Sequence, residues 1–416
     1  MQKPELLAPA GSFEKAKIAF MYGADAVYCG TPKLSLRSRS QVDDNDMVNI
    51  IKYAHDLGKK VYTAINIYAF DEYYEDIKEA AKTLNELKVD GILVSDGGVL
   101  NIIKEYAPDI DIHISTQANT VSWHSVKFWY DNGAKRIVLG RELSSEQIKD
   151  IMDNKPKDLE IEMFGHGALC FSYSGRCFLS QFLQNRSGNL GDCAQSCRWE
   201  YNVYLEEHNN PGNLMPITED DHGTYIMSSK DLCLINEIPT ICNLGVDSLK
   251  IEGRLKTEYY LATVVSAYRA AIDDYMKDPE NYNAEKYMKE LEKTKTRGLT
   301  TFYFNDRNNT DFQDYSGKQY NPDWEFGGKV VEELKDGRCL IEIRNKLSLY
   351  DDMEVLIPGI LQPMNFTIDA MWDAETDEHI STVNPGKQDQ KVILQLPCKV
   401  KAGYVLRRKK APHIGE

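Results

Sequence analysis

The apolar positions of this chain follow a two-beat rhythm from residue 5 to about residue 277: a short hydrophobic run, then a longer amphipathic stretch. The short runs are ELLAPAG, DAVYCG, KKVYTAIN, DGILVSD, IDIHISTQ, KRIVLGRE, LEIEMFGHG and DSLKIEGR. Runs this short, bounded by turn residues, read as strands buried on both faces. The stretches between them, such as SFEKAKIAFMYG, MVNIIKYAHDLG and YYEDIKEAAKTLNELK, space their apolar residues as helices do. Eight such units predict an α/β fold, a (β/α)8 TIM-type barrel. A doubly wound open sheet is the alternative, but it has about five or six strands and often opens on a GxGxxG turn, which does not follow the first run here. Ser12 is placed to cap the first helix, and Gly23, Gly58, Gly133 and Gly245 stand where helices should stop.

One interval breaks the rhythm. After LEIEMFGHG about sixty residues pass before SSKDLCLINEIPTICNLG resumes the helical pattern, so an insertion at about residues 168–228 leaves the C-terminal end of the seventh strand. In barrels that end carries the active site. The tail of the insertion, EEHNNPGNLMPITEDDHG, is polar and turn-rich and reads as a surface excursion. Beyond YYLATVVSAYRAAIDDYMKD the pattern changes. A linker at residues 281–320, with the helical NAEKYMKELEKTK, leads to β-rich sequence at 321–416 (FGGKVVEELKDGRCLIEIRN, DDMEVLIPG, QKVILQLP, GYVLRRKK), which predicts a small antiparallel barrel-like domain. The expected organisation is a catalytic barrel domain over 1–280, a linker and this C-terminal domain.

Length and charge narrow the function. A chain of 416 residues exceeds a single core's usual size. No basic head with an apolar run opens it and no stretch of about 18 apolar residues occurs, so the expectation is a cytoplasmic protein without membrane contact. The formal charge of −15 disfavours a surface that binds nucleic acid everywhere, but leaves room for a local basic groove. Arg407, Arg408, Lys409 and Lys410, supported by Lys399 and Lys401, are one candidate groove, or else a solvated tail.

Nine cysteines in such a chain argue for reduced thiols rather than a disulfide framework. Cys29, Cys242, Cys339 and Cys398 sit in apolar contexts and read as core residues. The other five fall within 64 residues: Cys170, Cys177, Cys193 and Cys197 in the insertion, then Cys233 in SSKDLC. Packing gives no reason to crowd thiols there, and a metal or iron–sulfur centre is the first expectation. Structural zinc favours paired short hooks, of which only Cys193 to Cys197 has the form, while an iron–sulfur cluster accepts a wrapping loop. Spacing alone leaves both open.

The stretch EMFGHGALCFSYSGRCFLSQFLQNRSGNLGDCAQSCRW resembles, nearly residue for residue, the signature of the collagenase-like peptidases of unassigned catalytic type. The resemblance extends through PELLAPAG, STQ, LGRE, SSKDLC and KIEGR. Members of that family include prephenate-dependent tRNA hydroxylases that form 5-hydroxyuridine at the wobble position, a hydroxylase of 23S ribosomal RNA, and enzymes that hydroxylate the ubiquinone ring without oxygen. In length and domain plan the chain looks most like the tRNA-modifying branch. That resemblance implies a 4Fe-4S cluster held by Cys170, Cys177, Cys193 and Cys233, with Cys197 as the alternative fourth ligand, prephenate as co-substrate, and a tRNA anticodon loop as partner. A homo-oligomer or paralogous partner stays open.

The rest of the site is read from chemistry. Prephenate carries two carboxylates, for which Arg141, Arg176 and Arg254 are the natural receptors, although each has an ordinary reading as the partner of a carboxylate such as Glu142 or Glu252. His166, four residues before Cys170, and Glu252, at a strand end, are the acid–base candidates, with backbone-bonded and ion-paired roles as their plain readings. Asn66 and Gln117 end strands and suit reading the edge of an extruded base. Phe171, Tyr173 and Trp199 offer a surface on which such a base can stack, or a shield for the cluster. A peptidase, the family's historical label, lacks HExxH, GxSxG or a convincing Cys–His pair here. A zinc-stapled RNA-binding protein is the non-enzymatic alternative.

Overall fold

The computed structural model describes residues 1–31, 34–35, 42–170, 172, 176–199, 203–206, 208, 211–212, 214–217, 229–309, 311–312, 322–386 and 390–410. Its elements begin with β1 (Glu5–Pro9), α1 (Phe13–Met21), β2 (Ala26–Gly30), α2 (Asp44–Asp56), β3 (Lys60–Ile65), α3 (Tyr74–Leu87), β4 (Gly91–Val94) and α4 (Gly97–Tyr106). There follow β5 (Ile112–Ile114), α5 (Trp123–Asp131), β6 (Arg136–Val138), α6 (Ser145–Asn154), β7 (Glu160–Ala168), α7 (Leu179–Gln184), β8 (Val203–Glu206) and β9 (Leu214–Ile217). Then come β10 (Asp231–Cys233), α8 (Ile238–Leu244), β11 (Ser248–Ile251), α9 (Glu258–Lys277), α10 (Glu285–Leu291) and β12 (Leu299–Thr300). The last strands are β13 (Trp324–Glu333), β14 (Cys339–Ile343), β15 (Leu347–Ser348), β16 (Asp352–Leu356), β17 (Met364–Thr367), β18 (Met371–Asp373), β19 (Thr382–Val383), β20 (Lys391–Leu394) and β21 (Val405–Lys409).

Contacts divide the chain into two compact units, the first holding β1 to β12 without α1, α9 and α10. Among its described residues, β1 to β7 and β11 are parallel and close into an eight-stranded barrel, β11 pairing with both β1 and β7. All eight strands coincide with the apolar runs of the sequence. Strands β2, β4, β5, β6 and β11 are buried at every position, which is why they read as continuous hydrophobic runs. The helices start on sequence-encoded caps: Asp43 accepts from Asp46 N before α2, Asp96 from Gly98 N before α4, and Ser144 forms a capping box with Gln147 before α6. Gly245 ends α8 at φ +75°, the left-handed backbone its sequence position calls for.

Strand β7 is nine residues long and outruns the barrel. Its last residues are paired antiparallel by β10, with Asp231 opposite Ala168 and Cys233 opposite His166, and β12 extends that ladder. The linker residues 299–300 thus join the first unit's sheet. Part of the acidic excursion forms the β8–β9 hairpin, in which Glu206 pairs with Leu214. Residues 218–223 at its end, with Phe171 and Tyr173, lie outside the described residues.

The second unit carries a seven-stranded antiparallel sheet ordered β17–β16–β21–β13–β14–β20–β18, the expected β-rich domain as a half-barrel, with β15–β19 as a separate ladder. Its core includes Val330, Ile341, Met353, Val355, Val392 and Leu406. The segment 14–24 and α9 belong to this unit, and Tyr22 ties them in, donating to Leu356 O at 2.8 Å and accepting from Val405 N at 2.9 Å. The basic run at the end does not present a charged tail. Arg407 is fully buried and pairs with Glu354 and with Glu290 at 2.7 Å, while Arg408 pairs with Glu325 and Asp351. Consecutive strand residues face opposite sides of the sheet, so Arg407 turns inward while Arg408 lies on the other side, half-buried beside its own carboxylates, and these two of the four charges are paired within the unit rather than left facing an RNA backbone.

Candidate active site at the barrel mouth

The C-terminal ends of the barrel strands surround a narrow cavity lined by Tyr28, Asn66, Ser115, Thr116, Gln117, Arg141, Phe164, Lys250, Glu252 and Arg254, among others. Five of the candidate residues, Asn66, Gln117, Arg141, Glu252 and Arg254, therefore converge on one space. An adjoining cavity shares Asn66 and Gln117 and adds Tyr68, Asp96, Arg176 and Asn189. The Asn66–Gln117 pair is the partition between the two. Asn66 Nδ2 donates to Ser115 Oγ and to Gln117 Oε1, each at 3.1 Å, and Ser115 Oγ donates to Gln117 Oε1. The two amides thus act as one fixed network rather than as independent readers.

Cations dominate the opposite wall. Arg141 lies 4.2 Å over the ring of Phe164 and donates to Ala168 O at 2.7 Å, so its position depends on the end of β7. Arg254 is buried beside Gly30, where a Cβ would stand 2.7 Å from its guanidinium nitrogen. Lys250 lies 4.2 Å over the Tyr28 ring and 2.8 Å from Glu162 Oε1. Burial pulls the Lys250 ammonium below the usual lysine range, and Glu162 opposes that pull. Lys250 was not singled out from the sequence. The signal was present in KIEGR, because residues 250, 252 and 254 alternate onto one face and the latter two had been chosen.

Beneath the cavity the barrel interior holds a charged layer. Arg136, nearly inaccessible, pairs with Glu5 at 2.6 Å, Glu160 at 2.7 Å and Glu162 at 3.2 Å. His113 packs beside Tyr62 at 4.7 Å between ring centroids. Burial, then the charges of Arg136, Lys250 and Lys60, hold it neutral, well below the ordinary histidine range. This layer fixes the cavity floor and makes it costly to disturb.

His166 is buried in β7 and does not line the cavity. Its main-chain carbonyl accepts from Glu252 N at 2.8 Å, so the backbone of β7 supports the acid that does line it. The ladder is irregular at this point: the β7–β11 register shifts between Lys250 and Ile251. Gly167 has φ +113°, and a Cβ there would meet Glu252 O at 2.4 Å. Only glycine fits that seam, which aims Glu252 and Arg254 at the mouth.

The insertion starts directly after β7. All five cysteines at issue are free thiols, Cys170, Cys177, Cys193 and Cys197 partly exposed and Cys233 buried. Two sulfurs sit under backbone donors, Leu179 N at 3.4 Å from Cys177 Sγ and Gln195 N at 3.3 Å from Cys193 Sγ. Gly188 packs against Cys193, 3.5 Å from its sulfur to an added Cβ. Burial raises the Cys197 thiol, Arg198 opposes this, and Cys170, Cys193 and Cys177 add to the rise, so these four share one neighbourhood. Cys233 instead faces His166 across the β7–β10 ladder. Among the described residues no three Cys, His, Asp or Glu side chains converge on a single-ion site. Arg176 reaches from this loop to donate to Gln117 O at 3.0 Å, linking the cysteine segment to the partition. Cys29, Cys242 and Cys339 are buried as expected; burial pushes the Cys29 thiol up to about 12 and the Cys339 thiol to about 11.

A barrel with a cysteine-bearing loop at its catalytic rim, joined to a small β-rich unit, defines the class. The chain belongs to peptidase family U32: the family model matches residues 11–314 and the model for the family's C-terminal domain matches residues 322–407. It is 36% identical to the tRNA hydroxylation protein P of Escherichia coli (strain K12), over 98% of this chain and 96% of that protein. It is 38% identical to the tRNA hydroxylation protein P1 of Bacillus subtilis (strain 168), over 91% and 89%. The 23S rRNA 5-hydroxycytidine C2501 synthase of Escherichia coli is 33% identical over 85% of this chain and 52% of that protein. No helix among the described residues is long and apolar enough to cross a membrane.

Proposed function

We propose that this protein is a tRNA hydroxylase that forms 5-hydroxyuridine at the wobble position, with prephenate as oxygen source and without molecular oxygen. The observation that carries the reading is the mouth itself: Arg141, Lys250 and Arg254 face the Asn66–Gln117 amides across one cavity, with free cysteines on the adjoining loop. Three cations around a cavity suit a ligand with two carboxylates. Arg176 lines the adjoining chamber beyond the Asn66–Gln117 pair and adds a fourth cation beside the mouth. Near-full-length likeness to tRNA hydroxylation proteins supports tRNA as the substrate over ribosomal RNA or a quinone ring.

Cys170, Cys177, Cys193 and Cys233 are the proposed ligands of a 4Fe-4S cluster, and Cys197 competes for the fourth place because it shares the neighbourhood of the first three. A zinc ion would need four ligands about 2.0–2.3 Å from one point, whereas a cluster spreads its thiolates over several irons and accepts a wrapping loop such as the one that carries Cys170, Cys177 and Cys193. When bound, the cluster supplies redox or Lewis-acid chemistry. The protein's part is to fix the anionic co-substrate with Arg141, Lys250 and Arg254, and to place the Glu252 carboxylate as the acid–base group facing it. Among the described residues that line this mouth, a peptidase reading has no established nucleophile–base pair to work with.

The test is nucleoside mass spectrometry of tRNA from cells lacking the protein, complemented with wild type or Cys170→Ser. Loss of 5-hydroxyuridine derivatives restored by wild type alone supports the reading. Unchanged tRNA overturns it and directs attention to ribosomal RNA, and zinc without iron in the purified protein supports the zinc-stapled alternative.

A further inference from the structure

The cysteine loop exposes more apolar surface than its packing requires. Phe178 is 76% exposed and Phe182 84%, with Leu183 at 38% and Trp199 at 40%. Phe182 N donates to Phe178 O at 2.8 Å, so the two phenylalanines stand one helical turn apart on the same side of α7. At about 1.5 Å rise per residue their stems are separated by roughly 6 Å, close to the spacing that admits one flat ring between two others. Phe178 directly follows Cys177 and Trp199 lies two residues past Cys197, which makes the patch continuous with the thiol loop.

Charge says what covers it. Residues 176–199 hold three arginines and one aspartate, in a chain whose net charge is −15. Asp192 is taken by Arg186 at 2.6 Å. Arg176 donates to Gln117 O, and Arg198 to Leu169 O and Gln195 Oε1, neutral acceptors that leave both guanidinium charges in place. Exposed aromatic rings interleaved with uncompensated arginines are what unpaired nucleotides bind, the rings taking bases and the cations phosphates. We propose that Phe178 and Phe182, with Trp199, Arg176 and Arg198, form the stacking surface that receives the unpaired bases of an RNA loop and delivers one of them to the barrel mouth. This rests on the RNA-hydroxylase reading above. Trp199 was expected to do so from the sequence; the two phenylalanines were not.

The experiment measures binding of an anticodon stem-loop RNA, and of a fully paired RNA of equal length, by fluorescence anisotropy to the full-length protein. Wild type, Phe178→Leu/Phe182→Leu and Phe182→Trp are compared, with iron content and circular dichroism as controls of integrity. Leucine keeps the apolar area but removes the stacking face. Expected is a loss of roughly tenfold or more per ring for the stem-loop in the leucine variant, no change for the paired RNA, and near wild-type binding for Phe182→Trp. Stem-loop affinity unchanged by leucine overturns the proposal. So does a drop in the mass of the protein by sedimentation in Phe182→Asp with leucine tolerated, which assigns the patch to contact between copies. A wild type that neither binds nor hydroxylates the stem-loop refutes the functional reading itself, and this surface with it.

Discussion

Replacing Glu162 by Gln tests the charged floor of the barrel. The Glu162 carboxylate is fully buried, 2.8 Å from Lys250 and 3.2 Å from Arg136. Arg136 keeps Glu5 and Glu160 after the change, whereas Glu162 is the carboxylate paired with Lys250. Breaking one side of a buried pair costs about 3–5 kcal/mol, because the remaining charge has no compensation. Lysine can escape that cost by releasing its proton, and burial already depresses its affinity for one. A lysine depressed in the folded state binds fewer protons there than when unfolded, so folded stability rises with pH up to the ordinary lysine range. Removing Glu162 deepens the depression and widens that window downward. Thermal and urea denaturation of Glu162→Gln at pH 7 and pH 9, beside Glu162→Gln/Lys250→Met, measures this. The expected result is a loss of about 3–5 kcal/mol at neutral pH, a smaller loss at pH 9 and partial recovery in the double variant. A loss under about 1 kcal/mol that does not vary with pH would refute the reasoning.

His113 is held neutral when folded, so its contribution is full above the ordinary histidine pKa and is lost as pH falls below it; wild-type melting temperature should drop between pH 7 and pH 5 more than that of His113→Gln. Gly167→Ala forces a Cβ against Glu252 O at a left-handed backbone position and should cost about 2–4 kcal/mol in denaturation, with hydroxylation falling further than stability explains because Glu252 and Arg254 lose their aim. Arg407→Ala leaves Glu290 and Glu354 to share Lys293 as their remaining cation and should destabilise by about 1.5–3 kcal/mol, while leaving affinity for anticodon stem-loop RNA unchanged in anisotropy measurements. Iron analysis of Cys233→Ser against Cys197→Ser assigns the fourth ligand: Cys233→Ser should lose the cluster and Cys197→Ser retain it.

The barrel was legible because parallel strands covered on both faces are written as contiguous apolar runs, as in DAVYCG and DGILVSD, and because Gly58 and Gly245 punctuate the helices where left-handed backbone is needed. The mouth residues were legible as polar endings of those runs, which is how Asn66, Gln117, Arg141, Glu252 and Arg254 were found. What failed has physical causes. Lys250 sits inside a run and carries its charge into the barrel, so only strand alternation reveals it. Arg407 looks like tail charge until sheet pairing turns it inward against Glu354. β10 is three residues long and gains its place from β7, a partner more than sixty residues earlier that local pattern cannot supply. Phe178 and Phe182 do not stand out in the sequence, which does not say which face a short helix leaves uncovered.

The most direct measurement uses protein purified anaerobically and reconstituted with iron and sulfide, unmodified tRNA and prephenate in an anaerobic vessel, followed by mass spectrometry of the anticodon nucleosides. The account predicts one added oxygen on the wobble uridine, dependent on prephenate and absent with Cys170→Ser. Hydroxylation that requires oxygen gas, or that proceeds unchanged without prephenate or with the serine variant, would contradict it.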